Sequence, residues 1–222
     1  MKKIKLILIA ILSFTVTVAA AQQSEQFVKI ETPQGSCIVK LYNETPIHRD
    51  NFIKLVKSHY FDATTFNRIL KGFVIQGGDQ DSLYEKGRTL KPQQKWIAPE
   101  FNTALFHKRG ALAMGRDGNA AKESFTTQIY IVDGRKYTDA QLDAIEKKKG
   151  VHFSDTQREV YRTIGGTPSL DQDYTVFGEI VKGMDWIDKT TAAKVDKNGN
   201  PDNIVWMKLT LLTPKQAAKE LN

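Results

Sequence analysis

One cysteine and four histidines are nearly all that the 222 residues offer by way of soft metal ligands or thiol chemistry. A single thiol cannot close an intramolecular disulfide. In the run Cys37-Ile38-Val39-Lys40-Leu41-Tyr42, Cys37 shares a strand face with Val39 and Leu41, which predicts a buried structural thiol, not a nucleophile. His48, His59, His107 and His152 show no metal-ligand spacing and no accompanying serine elbow, which argues against metallohydrolase and triad chemistry. The lysines and arginines are scattered and no aromatics interleave with them, so a nucleic-acid groove is not expected. Gly77-Gly78-Asp79 is followed by no Lys-Ser/Thr, which argues against a phosphate loop. Internal repeats and low-complexity linkers are also missing, and one domain is expected over residues 22–222.

Only one long apolar run is present. Lys2, Lys3 and Lys5 precede a stretch from Leu6 to Val18, and Ala19-Ala20-Ala21 supplies small residues before Gln22. This is the pattern of a secretory signal peptide over residues 1–21, cleaved after Ala21. The run is short of the roughly 20 residues that span a bilayer comfortably, so no stable membrane insertion is expected after cleavage. Loss of three lysines would lower the formal net charge from +7 to +4. A periplasmic or secreted protein is expected.

The remaining pattern is mostly that of strands. Phe27 to Glu31 and Cys37 to Tyr42 flank Pro33-Gln34-Gly35, which predicts a hairpin. Thr45-Pro46 predicts a helix start, with the Thr45 hydroxyl as N-cap and Phe52, Leu55 and Val56 on one face of a helix to about His59. Further strands are expected over Phe66–Gln76, Gly110–Met114, Thr127–Val132, Tyr174–Ile180 and Val205–Leu212. A short helix near Met184 to Thr190 precedes the turn at Asn198-Gly199-Asn200-Pro201, and Lys215 to Asn222 reads as a polar tail. Many strands with two separated helices favour a mainly β architecture, a closed antiparallel barrel of eight strands with two capping helices. Residues 135–166 depart from it. Thr138-x-x-Gln141 and Ser154-x-x-Gln157 are two capping boxes, with Gly150 and Gly165-Gly166 as stops, and predict an inserted helical hairpin.

The most informative segment is Phe66-Asn67-Arg68-Ile69-Leu70-Lys71-Gly72-Phe73-Val74-Ile75-Gln76-Gly77-Gly78-Asp79. Alternation places Phe66, Arg68 and Leu70 on one face and Asn67 and Ile69 on the other. A cation on an apolar surface is costly unless its charge is used or paired, which makes Arg68 a candidate for chemistry on a partly apolar substrate.

This segment closely resembles the signature of the cyclophilins, β-barrel peptidyl-prolyl cis-trans isomerases. The likeness extends over about Val28 to Leu212 through Leu112-Ala113-Met114, Thr127-Gln128-Ile129-Tyr130-Ile131, Leu170-Asp171 and Tyr174-Thr175-Val176-Phe177-Gly178. The resemblance implies Arg68 as catalytic arginine and Gln76 as the glutamine that hydrogen-bonds the substrate backbone. It also implies Phe73, Met114 and Leu170 as walls of a proline pocket, with Gln128 as a second polar group. Asn67 stands where many members have histidine, Arg116 where many have asparagine, Ile129 in place of a pocket phenylalanine and Tyr174 in place of a histidine. Ser169 falls near a position where cyclosporin-sensitive members carry tryptophan. The implied activity is isomerisation of Xaa-Pro bonds in proline-containing polypeptides, assisting the folding of exported proteins, by a monomer without cofactor or metal. The alternative is a chaperone module that grips proline-containing chains with little turnover.

Overall fold

The computed structural model describes residues 24–79 and 96–222. The signal-peptide reading of residues 1–21 lies outside the described residues. Strand β1 (Gln26–Thr32) buries Val28, Ile30 and Thr32 on one side, and β2 (Gly35–Leu41) answers with Cys37, Val39 and Leu41. Their register runs from Gln26–Leu41 to Thr32–Gly35 across the Pro33-Gln34 turn. The Cys37 thiol is 1% exposed, and burial pushes it up to about 12. It is a core residue.

Helix α1 (Pro46–Lys57) follows, then the short strands β3 (Arg68–Leu70), β4 (Val74–Gly77), β5 (Trp96–Ile97), β6 (Ala111–Met114), β7 (Ser124–Phe125) and β8 (Ile129–Val132). Two helices, α2 (Asp139–Lys149) and α3 (Asp155–Thr163), come next, each opened by a complete capping box at Thr138 and Ser154. The chain ends with β9 (Val176–Lys182), α4 (Asp185–Thr191), β10 (Lys208–Leu211) and α5 (Pro214–Leu221). Helix α5 replaces the expected polar tail. Thr213 and Gln216 form a third capping box, and Ala217 packs with Ile38 and Leu212.

Eight strands make one curled antiparallel sheet in the order β10-β1-β2-β9-β6-β8-β4-β3, and β5 pairs with β7 separately. Register shifts at Ile38/Val39 and Leu112/Ala113 mark irregularities of the kind that bend strands. The inner face carries the main core, where Phe52 and Leu55 of α1 and Trp186 and Ile187 of α4 meet Leu112, Met114, Ile129, Ile131 and Phe177. Full burial of each such side chain contributes roughly 1.5–3 kcal/mol.

The fold is a half-barrel, not the barrel closed by a continuous ladder that was expected. The edge strands β10 and β3 do not pair with each other. The Ile69 N–H of β3 donates instead to the Gly199 carbonyl at 2.8 Å, so the turn before β10 covers that edge. The isolated bridge Thr65–Trp206 also spans the seam, with the Phe66 N–H donating to the Val205 carbonyl at 2.9 Å. The local face assignment shifts for the same reason. Phe66 precedes β3 and is buried with Ile69 in the inner core against Trp186, whereas Arg68 and Leu70 stay partly exposed.

Helix α1 starts at Pro46, but the Thr45 hydroxyl makes no capping bond; its Oγ1 is buried without a partner. Glu100 caps the helix from a distance. Its carboxylate accepts the Ile47 N–H at 3.0 Å and the His48 N–H at 2.9 Å. An anion at a helix N-terminus meets both unpaired N–H groups and the positive end of the dipole.

Candidate active site

Strands alternate their side chains between faces, so β3, β4, β6, β8 and β9 present a second set of residues on the outer face. Val74, Ala111, Ala113, Tyr130, Val132 and Val176 form that cluster, with Phe73, Leu105, Leu170 and Tyr174 packed onto it. A pocket of about 220 Å³ opens there, lined by Arg68, Phe73, Val74, Gln76, Gly115, Arg116, Gln128, Tyr130, Leu170 and Tyr174.

Arg68 and Gln76 are opposite partners in the β3–β4 ladder. The Arg68 Nη1–H donates to Gln76 Oε1 at 3.1 Å. This bond uses one of the five guanidinium donors. The turn between the two strands is fixed from β8. Gly72, at φ 76°, donates its N–H to Asp133 Oδ2 at 2.6 Å, and the Phe73 carbonyl accepts the N–H groups of Asp133 and Gly134 at 3.0 and 2.9 Å. Arg109 pairs with the other Asp133 oxygen. Phe73 is thus held at the pocket rim by backbone anchoring on both sides.

Gln128 donates its Nε2–H to Asp79 Oδ2 at 2.5 Å. Its amide lies across Gly115, where an added Cβ would come within 2.1 Å of Gln128 Oε1. Arg116 reaches the lining too, but its guanidinium is committed locally. Nε–H donates to the Asp173 carbonyl at 2.6 Å, and Nη1–H to the carbonyls of Asp117 at 2.7 Å and Asn119 at 3.2 Å. The guanidinium carbon stands 4.9 Å from the centre of the Tyr174 ring, which makes Arg116 a prop for Tyr174.

Of the residues singled out in the sequence, Arg68, Phe73, Gln76, Arg116, Gln128, Leu170 and Tyr174 come together at the pocket. Met114 and Ile129 do not. Both are 0% exposed and lie on the inner face in the main core. Asn67 is absent from the lining, and its Oδ1 is buried without a hydrogen-bond partner. Period two explains the shift, because Gln128 and Tyr130 share the outer face and Ile129 must point inward. Val74, Gly115 and Tyr130 line the pocket without having been singled out in the sequence, and Tyr130 is the polar one among them.

Its hydroxyl has a defined partner. His107 Nδ1 lies 2.7 Å from Asp171 Oδ1 and Nε2 lies 2.9 Å from the Tyr130 oxygen. A proton on Nδ1 suits the carboxylate, which leaves Nε2 to accept the Tyr130 O–H. Burial, then the neighbouring Tyr174 and Asp171, hold the Tyr130 phenol well above its ordinary range, with Arg116 opposing.

Tertiary folding also assembles a serine–histidine–carboxylate chain that the sequence did not reveal. His48 Nε2 is 3.0 Å from Ser124 Oγ and Nδ1 is 2.7 Å from Glu100 Oε2. Both His48 and Ser124 are 0% exposed. No substrate reaches this serine, and the chain serves the cap of α1.

The family model for "Cyclophilin type peptidyl-prolyl cis-trans isomerase/CLD" matches residues 27–210. A protein of Staphylococcus aureus (strain USA300), named "Putative peptidyl-prolyl cis-trans isomerase", is 30% identical over 181 residues, covering 81% of this chain and 88% of its own. A Staphylococcus epidermidis protein of the same name is 29% identical over the same shares. Among solved structures, a Cryptosporidium parvum cyclophilin type isomerase aligns with a TM-score of 0.62 at 24% identity, over 86% of this chain and 99% of its own. A second structure of that protein, obtained in the presence of the dipeptide Ala-Pro, aligns with the same TM-score at 22% identity, over 85% and 99%.

Proposed function

Because this chain belongs to the cyclophilin-type peptidyl-prolyl cis-trans isomerases, we propose that Arg68 and Gln76 carry its reaction and that the outer pocket takes the proline ring. The amide C–N bond resists rotation because of its partial double-bond character, with a barrier of about 18–20 kcal/mol. No bond breaks in the reaction, so nothing in it requires a nucleophile or a metal. In the twisted state the prolyl nitrogen becomes pyramidal and regains a lone pair. A guanidinium is always protonated and can donate to that nitrogen. The bond exists only in the twisted state, so it lowers the barrier instead of tightening the ground-state complex.

Phe73, Tyr130, Leu170 and Tyr174 offer the ring an apolar seat, and Gln76 and Gln128 offer amide groups to the peptide backbone. Exclusion of water from the amide adds to the effect. The Ala-Pro dipeptide present with the Cryptosporidium parvum relative supports a proline-containing peptide as ligand. The observation that carries this reading is the cross-strand Arg68–Gln76 pair at the rim of that pocket.

A charged hydrogen bond contributes about 1.5–3 kcal/mol, and each 1.36 kcal/mol is about tenfold in rate, so Arg68→Ala is expected to lower kcat about ten- to hundredfold. A protease-coupled isomerisation assay on a proline tetrapeptide measures it, with circular dichroism to show an intact fold. Wild-type turnover in the folded variant would sink the assignment.

We further place the working enzyme in the periplasm or outside the cell, where it assists the folding of exported polypeptides. The charged start, apolar run and small-residue triplet of residues 1–21 support this. Mass spectrometry of the protein from fractionated cells should find a mature chain beginning at Gln22. An intact Met1 end confined to the cytoplasm would refute it.

A further inference from the structure

The α2–α3 hairpin stands on a closed base, because Arg135 and Gly166 exchange two backbone hydrogen bonds of 3.0 Å. It also has its own core of Leu142, Phe153 and Tyr161. Two of its side chains reach beyond that core to the pocket wall.

Lys149, the last residue of α2, is only 15% exposed. Its ammonium donates to the carbonyls of Ser169 at 2.7 Å and Asp171 at 2.6 Å, and to Asp173 Oδ2 at 2.6 Å. All three of its donors are used. These acceptors bracket Leu170 and run up to Tyr174, two walls of the pocket. Asp173 is gripped from the other side by Lys122, also at 2.6 Å. Burial alone would raise the Asp173 carboxyl, but the two ammonium groups hold it below its ordinary value.

The second contact comes from α3. The Tyr161 hydroxyl donates to Asp171 Oδ2 at 2.5 Å. The other oxygen of Asp171 holds His107, and His107 holds the Tyr130 hydroxyl. A continuous buried chain therefore runs from the hairpin to a third pocket residue.

We propose that the hairpin sets the shape of the proline pocket, with Lys149 and Tyr161 as positioning residues that act through residues 169–174 and through Tyr130. The proposal rests on this pocket being the seat of isomerisation. Leu170, Tyr174 and Tyr130 would touch the proline ring equally in the ground and twisted states. Loosening them removes uniform binding and raises KM, whereas loss of Arg68 lowers kcat.

The test compares full-chain wild type, Lys149→Met, Tyr161→Phe and Arg68→Ala by kcat and KM on one proline tetrapeptide. Lys149→Met and Tyr161→Phe are each expected to raise KM about five- to tenfold with kcat within about twofold. Folded variants with wild-type KM, or with a loss confined to kcat, overturn the proposal. If Lys149→Met melts before it can be assayed, Tyr161→Phe, which removes one oxygen and keeps the ring packing, decides alone. Arg68→Ala separates the two claims. Full activity in that variant defeats the catalytic assignment, whereas an inactive Arg68→Ala beside wild-type Lys149 and Tyr161 variants defeats only the positioning role.

Discussion

Arg68 gains its use from what stands across the ladder. As the register partner of Gln76, it shares an outward-facing position with a polar side chain that accepts one of its hydrogen bonds and orients the rest of the guanidinium. On β8 the same alternation separates two neighbouring residues by role. Ile129 is sealed in the inner core and Tyr130 faces the pocket. Ile129→Ala is therefore expected to cost about 2–5 kcal/mol of stability while leaving kcat/KM of the folded protein within about twofold. Tyr130→Leu keeps an apolar side chain but loses the ring and its hydroxyl anchor, and is expected to raise KM about tenfold, the equivalent of 1.36 kcal/mol. Denaturant melts and peptide kinetics on the pair check both statements; a KM effect confined to Ile129→Ala would reverse the face assignment. This distinction was legible at the residue level. Extending the alternation from Gln128 marks Tyr130, not Ile129, as its companion, and the same rule sends Met114 inward with Leu112.

At the scale of elements, the helix boundaries separate local from remote causes. Helices α2, α3 and α5 each begin with a hydroxyl and a glutamine three residues on, and all three form reciprocal capping boxes. Thr213-x-x-Gln216 carried the same signal as the other two, and the many exposed residues after it hid a helix that buries mainly Ala217. Helix α1 differs. Its local sequence offers Thr45, but Glu100 supplies the cap. Glu100→Ala is expected to destabilise the protein by about 3 kcal/mol, since it removes bonds to a charged group and leaves N–H groups unpaired. Thr45→Val removes a buried hydroxyl that has no partner, and is expected to be neutral or slightly stabilising. Urea denaturation of the two variants measures the contrast. A large loss at Thr45→Val with little at Glu100→Ala would restore the local cap.

For the whole molecule, stability should depend on pH through His48. Burial lowers its pKa, against the opposing hydrogen bond and charge of Glu100. The ring sits between Ser124, Glu100 and the Phe177 ring, with no exposure to water. Because the folded pKa lies below the unfolded value of about 6.5, the contribution is fully present above that pH. It is lost as pH falls from there through the folded pKa, where the unfolded chain binds the proton first. Unfolding free energies at pH 7.5 and 5.0 should therefore drop in the wild type and drop less in His48→Gln. Equal losses in the two proteins would assign the acid sensitivity to other groups.

Much of this molecule follows from neighbours in the chain. The β1–β2 hairpin, the helix-opening boxes, the alternating strands and the Arg68 to Gln76 signature all depend on interactions within a few residues, so their geometry is written where their residues are. The curl of the sheet and the open seam are decided elsewhere, by which backbone groups meet across long separations, such as Ile69 with Gly199. So are the Glu100 cap, the buried Ser124–His48–Glu100 chain and the links from Lys149 and Tyr161 to the pocket wall. Each joins polar groups more than nine residues apart, brought together because a buried donor or acceptor must find a partner wherever the fold provides one. The sequence by itself determined most of the strands and the motif from Arg68 to Gln76. Only the tertiary structure decided which face of the sheet became core, which became pocket, and what holds that pocket in shape.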